Sequence, residues 1–164
     1  MSAPAALAWR SLATPLGTLT LAASGEGLRA VLFDEAPPDD ATGVDETSVA
    51  HLDRAADALA AYLAGQGTGL DLTIDPAALP SGFAGRVLAA TAAIPRGETS
   101  SYRAVAEAAG SPNAARAAGQ ALGANPLAIV VPCHRVLATD GGLGGYTGGL
   151  DRKRALLALE GVTR

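Results

Sequence analysis

The stretch DPAALPSG, Asp75–Gly82, constrains this chain more than any other. Proline lacks the amide donor and glycine resists ordering, so neither a helix nor a central strand runs through it. The charge changes sign at the same place. Residues 1–80 hold 3 Lys/Arg against 11 Asp/Glu, and residues 81–164 hold 9 against 5. The pattern of apolar residues also differs on the two sides. A chain of 164 residues, 49% of them hydrophobic, is therefore read as two small domains, 1–80 and 81–164, with the boundary near Leu79–Gly82.

The first half begins with LAWRSLATPLGTLTLAASGEGLRAVLFDE. Short β-leaning runs alternate there with the turn signals TPLG and SGEG, which predicts a three-stranded meander over about Ala8 to Phe33. The acidic, proline-bearing DEAPPDDATGVDET reads as a surface connection. Val49, Leu52, Ala56, Leu59 and Leu63 then recur at helical spacing, with Gly65 as the stop. LDLTI reads as one more strand. The second half reads mostly helical. FAGRVLAATAAI ends before Pro95, and SYRAVAEAAG is closed by Gly110. NAARAAGQALGAN follows, with Ser111 as its expected N-cap and Pro112 at its first position. Two short helices joined by a tight glycine-containing turn fit a helix-turn-helix. GGLGGYTGG is a loop, and LDRKRALLALEG is a final helix. The fold class is α+β in two domains: a small N-terminal α/β domain with an antiparallel sheet, and a helical C-terminal domain.

Several classes of function are excluded by what the sequence contains. One cysteine and two distant histidines cannot build a multi-thiolate zinc site, so no structural metal is expected. No glycine pattern lies between a strand and a helix to suggest a dinucleotide fold, and no cofactor is expected. MSAPAALAWR lacks the pattern of a signal peptide, and no segment has the apolar length of a membrane span. Absence of disulfides suits a reducing cytosol, so the expected location is cytoplasmic. The net charge of −4 argues against nucleic acid, but the basic second half could meet phosphates.

The single cysteine stands in IVVPCHRVLATDGG, at the end of an apolar run. A thiolate is the nucleophile, and a free thiol is mostly protonated at neutral pH. His134 is the nearest group that could take the proton. Adjacent side chains on a regular strand point to opposite faces, so the pair requires a turn or a bridging water. Pro132 disfavours helix at Val131. AIVV is thus expected to be strand-like up to Cys133, with the backbone turning there. Glu160 is the carboxylate placed to orient the imidazole. A lone cysteine of this kind is more often an inert buried thiol, and the Cys-His pair alone does not decide between the two.

The wider pattern does. PCHRV, preceded by NPLAIVV and followed by GGYTGGL and LLALEG, resembles the methylated-DNA–protein-cysteine methyltransferases, the alkylguanine-DNA alkyltransferases. The similarity extends upstream through IPRGETSSYRAVAEAAG and NAARAAGQALGANP, covering about Phe83 to Gly161. TPLGTLTLAASGEGLRAVLF resembles the family's first domain more loosely. The resemblance implies a ribonuclease-H-like first domain and a winged-helix-like second one.

It also implies the chemistry. Cys133 would take an alkyl group from the exocyclic oxygen of a damaged guanine in double-stranded DNA, irreversibly and once per molecule. His134 would accept the thiol proton through a water, and Glu160 would orient His134. Asn125 would tie the recognition helix to the cysteine segment. Tyr102 would aid flipping of the base, and Arg116 would replace the flipped nucleotide in the stack. Small residues of the recognition helix, Ala115 and Gly119 among them, would allow close approach to the minor groove. The backbone of Cys133 and Val136 would accept from the guanine amino group, and Tyr146 and Thr147 would wall the pocket. The protein would act as a monomer. Thr147 stands where many members have serine, Leu88 where a tryptophan is common, and Gln120 where glycine is frequent. A recognition module without transfer, a cysteine hydrolase and a transcription regulator are the competing readings. Cys133 argues against the first, the lack of clear oxyanion donors against the second, and the lack of a dimer helix against the third.

Overall fold

The structure, a computed structural model, describes residues 6–39, 45–66 and 70–162. They form two compact units, Met1–Ala78 and Leu79–Arg164. The first opens with the meander that the turn signals predict: β1 (Ala8–Thr14), β2 (Gly17–Ser24) and β3 (Gly27–Phe33), antiparallel in that order. Thr14 closes the first turn, donating from Oγ1 to the Gly17 carbonyl at 2.6 Å. Pairing runs Leu12 against Leu19 and Leu21 against Val31, with an irregularity between Ala22 and Ala23. The central strand is buried on both faces from Leu19 to Ser24. That fits its apolar run Leu21–Ala23, and its two buried hydroxyls, Thr20 and Ser24, donate to the Glu35 carbonyl and to Asp75.

Helix α1 (Glu46–Leu63) covers one face of this sheet. Asp45 caps it, accepting from the Ser48 amide at 2.7 Å. Its buried stripe is Ser48, Leu52, Ala55, Ala56, Leu59, Tyr62 and Leu63, and Val49 lies half-buried at its margin. Gly65 adopts φ +79 where the helix stops, a conformation that favours glycine. Removing a side chain such as Leu59, fully buried, costs about 2–5 kcal/mol. Part of the acidic connection, residues 40–44, lies outside the described residues.

LDLTI does not form the expected strand. Only Ile74 bridges to Leu28, through Leu28 N to Thr73 O at 2.9 Å and Asp75 N to Leu28 O at 3.0 Å. Pro76 then removes the next donor, and the chain enters a 3-10 turn over Pro76–Ala78. Gly27 permits even this contact, since a Cβ there would stand 2.7 Å from the Asp75 amide.

The second unit contains α2 (Gly82–Ala92), α3 (Tyr102–Ala108), α4 (Ala115–Gly123) and α5 (Leu150–Leu159). Two short strands, β4 (Ser100–Ser101) and β5 (Val136–Leu137), pair in parallel. Val87, Leu88, Val105, Ala106, Ala118 and Leu122 are buried where α2, α3 and α4 pack together. Leu88, at the position where the resemblance makes tryptophan common, is 1% exposed and acts in packing.

Helices α3 and α4 make the expected helix-turn-helix, but α4 starts later than Ser111 and Pro112 suggest. Its N-cap is Ala114. Ser111 belongs instead to the end of α3. Its amide bonds the Ala106 carbonyl at 2.9 Å, and Gly110, at φ +95, bonds Glu107 at 2.9 Å. This is a Schellman closure, and it takes the residue that would have capped the next helix.

Candidate active site

Cys133 is placed by an asparagine rather than by a strand. AIVV is not extended: Ile129 has φ +71, and Val131 N bonds Leu127 O at 2.9 Å in a tight turn. Asn125, just beyond α4, takes the place of ladder partners. Its Oδ1 accepts from Leu127 N at 3.0 Å, and its Nδ2 donates to Val131 O at 3.0 Å and reaches Cys133 Sγ at 3.3 Å. The turn expected at the cysteine is present as a 3-10 turn over Cys133–Arg135. Burial pushes the Cys133 thiol up, against the pull of the Asn125 amide and the Lys153 charge.

His134 is fully buried, and its Nε2 lies 3.0 Å from Glu160 Oε2. Glu160 caps the end of α5, which aims its carboxylate back at the turn. Burial pushes the imidazole down, against the Glu160 hydrogen bond and charge. His134 Nδ1 is buried without a hydrogen-bond partner.

The thiol opens on a cleft of about 700 Å³. Tyr102, Ala115, Arg116, Gly119, Tyr146 and Thr147 line it with Cys133. Of the residues singled out in the sequence, these seven share one cavity. His134, Glu160 and Asn125 stand behind the thiol through the bonds above. Val136 is fully buried, and its carbonyl accepts from Lys153 Nζ at 2.7 Å. Tyr102 donates to Gly145 O at 3.3 Å, and Thr147 to Gly123 O at 2.8 Å, so both hydroxyls hold the glycine loop. Gln120 is exposed on α4.

Two residues escaped the sequence reading. Lys153 is fully buried, donating to Leu143 O at 2.5 Å and Gly145 O at 3.0 Å as well as to Val136 O. Burial holds its ammonium at about 8. The signal for it was periodicity: Lys153, Leu156, Leu157 and Glu160 follow i, i+3, i+4, i+7, an inward stripe with charged ends. Arg135 pairs with Glu160 through Nε at 2.8 Å and Nη2 at 2.7 Å. No periodic signal marks an arginine inside a 3-10 turn.

Among the described residues no helix is long and apolar enough to cross a membrane, and no cluster of three or more His, Cys, Asp or Glu could hold a metal.

Comparison with known proteins gives this geometry a family. A family model described as the ribonuclease-like domain of 6-O-methylguanine DNA methyltransferase matches residues 7–76, and one described as its DNA binding domain matches residues 82–162. A methylated-DNA–protein-cysteine methyltransferase of Mycolicibacterium paratuberculosis is 46% identical over 153 residues, 93% of this chain and 91% of its own. One from Methanosarcina acetivorans is 39% identical, across 90% of this chain and 94% of its own. A crystal structure of Mycobacterium tuberculosis OGT in complex with DNA superposes with a TM-score of 0.81 at 43% identity, covering 93% of this chain and 91% of that one. With both halves matched and relatives similar over nearly its whole length, the chain belongs to the 6-O-methylguanine DNA methyltransferase family.

Proposed function

We propose that this protein repairs DNA by taking the alkyl group of a 6-O-alkylguanine, chiefly 6-O-methylguanine, onto Cys133. The observation that carries the reading is one cavity. It holds the chain's only thiol, one face of the second helix of a helix-turn-helix from Ala115 to Gly123, and an aromatic wall. The relatives' names and the relative solved with DNA support the same activity and partner.

The target carbon lies inside a duplex, so the nucleotide must leave the stack to reach the thiol. Arg116 is exposed on α4 and fills the gap left behind. Ala115 and Gly119 let that helix approach closely. Tyr102 exchanges its bond to Gly145 for one to the base, and Thr147 its bond to Gly123 for one to the modified oxygen. The thiol proton passes to His134 through a water, the S–C bond forms as the C–O bond breaks, and guanine leaves with the electron pair and is reprotonated. The thioether is stable, so each molecule acts once. Holding the reactants in line supplies much of the acceleration. Phosphate contacts make binding salt-sensitive and nearly blind to sequence. The protein acts as a monomer in the cytoplasm, where a reduced thiol persists.

Intact-protein mass spectrometry after incubation with duplex DNA carrying one 6-O-methylguanine tests this. A gain of one methyl group on Cys133, saturating at one per protein, is the expected result. Binding without gain would indicate a recognition module, and repeated turnover a hydrolase.

A further inference from the structure

Glu160 is gripped from two sides. Arg135 binds both carboxylate oxygens, Nε to Oε1 at 2.8 Å and Nη2 to Oε2 at 2.7 Å, and sends Nη1 to the Ile94 carbonyl at 2.6 Å. The Glu160 side chain has no exposure, and that of Arg135 is 12% exposed. A guanidinium keeps its proton in a protein, so the carboxylate it forks stays ionised. An ionised carboxylate only accepts. The His134 nitrogen 3.0 Å from Oε2 must therefore carry hydrogen. Burial keeps the ring neutral, and the charges of Arg135 and Lys153 add to that effect. A neutral imidazole has a single N–H, which leaves Nδ1 bare. Nδ1 is the buried atom without a partner.

We propose that Arg135 is a positioning residue which sets the tautomer of His134 by keeping Glu160 ionised, and so makes Nδ1 the acceptor for the Cys133 proton. Only the identity of the proton's source rests on the alkyl-transfer reading. Without the guanidinium, a buried carboxyl favours its protonated form. A protonated carboxyl donates to Nε2, the ring hydrogen moves to Nδ1, and Nδ1 becomes a donor in place of an acceptor. The thiol proton then has no acceptor, although every side chain at the thiol is unchanged. A lysine at this position keeps the charge but not the fork, and is expected to preserve the tautomer.

The test is long-range proton–nitrogen NMR of the two histidines in nitrogen-15-labelled full-length protein, with H51Q to assign them. His134 should carry hydrogen on Nε2 in the wild type and in R135K. In R135M it should carry hydrogen on Nδ1, and single-turnover methyl transfer should slow by about a hundredfold, the share of a general base. A wild type with hydrogen on Nδ1 overturns the proposal without any variant, whether or not R135M folds. So does an R135M protein that keeps Nε2–H, or an R135K protein that loses it. A wild type with the expected tautomer that transfers no methyl group counts against the alkyl-transfer reading and leaves the tautomer assignment standing.

Discussion

Asp75 in the first unit and Glu160 in the second are both buried carboxylates facing an arginine. Asp75 accepts from Ser24 Oγ at 2.5 Å, from the Ala77 amide at 2.8 Å and from Arg29 at 3.4 Å. Its contacts stop there, pinning the end of β2 to the 3-10 turn. Glu160 is held more tightly, by both arms of Arg135 at 2.8 and 2.7 Å, and its bonds continue through His134 to a nitrogen with no hydrogen-bond partner in the protein. The first unit carries a closed network that adds stability. The second leaves one nitrogen without a protein partner, and that nitrogen belongs to the residue beside the nucleophile.

The largest test of this contrast is C133S, which should abolish methyl transfer completely while lesion DNA is still bound in a gel-shift assay. E160Q should come next, lowering the single-turnover rate by about tenfold to a hundredfold with folding retained by circular dichroism. D75N should do the reverse. It should cost about 2 kcal/mol in urea unfolding and leave the transfer rate of the folded protein unchanged. A D75N protein that folds stably but transfers slowly would break the comparison.

Asp75 also has a pH signature. Burial opposes its ionisation, but the Ser24 and Ala77 hydrogen bonds and the Arg29 charge outweigh it and hold the carboxyl below its usual 3.8. Its contribution is therefore present above about pH 4 and lost as pH falls through the lower, folded-state value. Acid unfolding followed by circular dichroism should show that loss in the wild type and not in D75N. The open network predicts a different profile. With the thiol pushed above its usual 9.0 and the imidazole below its usual 6.5, neither group titrates between them. The transfer rate should be level from about pH 6.5 to about pH 7.5, below the Lys153 value of about 8, because the lysine charge favours the Cys133 thiolate, and a step near pH 7 would break the assignment.

A last effect concerns Lys153. Its ammonium sits at about 8 rather than 10.5, so across that window the unfolded chain holds the proton more tightly. Stability should therefore gain from this residue as pH rises from 8 to 10.5. Urea unfolding at several alkaline pH values should show that slope in the wild type and lose it in K153M.

What the sequence made legible follows the range of the interactions involved. The meander could be read because each turn is closed within a few residues, as Thr14 closes its own. Cys133, His134 and Glu160 could be named from the pattern of short blocks. The strand read into LDLTI failed because Pro76 ends it after one bridge. The start of α4 was misplaced because Ser111 suits two helices and the preceding one takes it. AIVV looked extended because nothing local shows that Asn125 will satisfy its backbone. Arg135 and Lys153 were missed because a buried cation is recognisable only once its acceptors converge from several segments, as the carbonyls of Val136, Leu143 and Gly145 do on Lys153.

That last arrangement bears on which sequences the loop can tolerate. Lysine grips Leu143 and Gly145 by main-chain oxygens, which every amino acid possesses. A side chain added at Gly145 meets nothing within 4 Å, whereas one at Gly144, where φ is +69, would stand 2.7 Å from the Tyr102 ring and hydroxyl. In a randomised library of this loop, positions 143 and 145 should accept a broad alphabet. Position 144 should return a single letter.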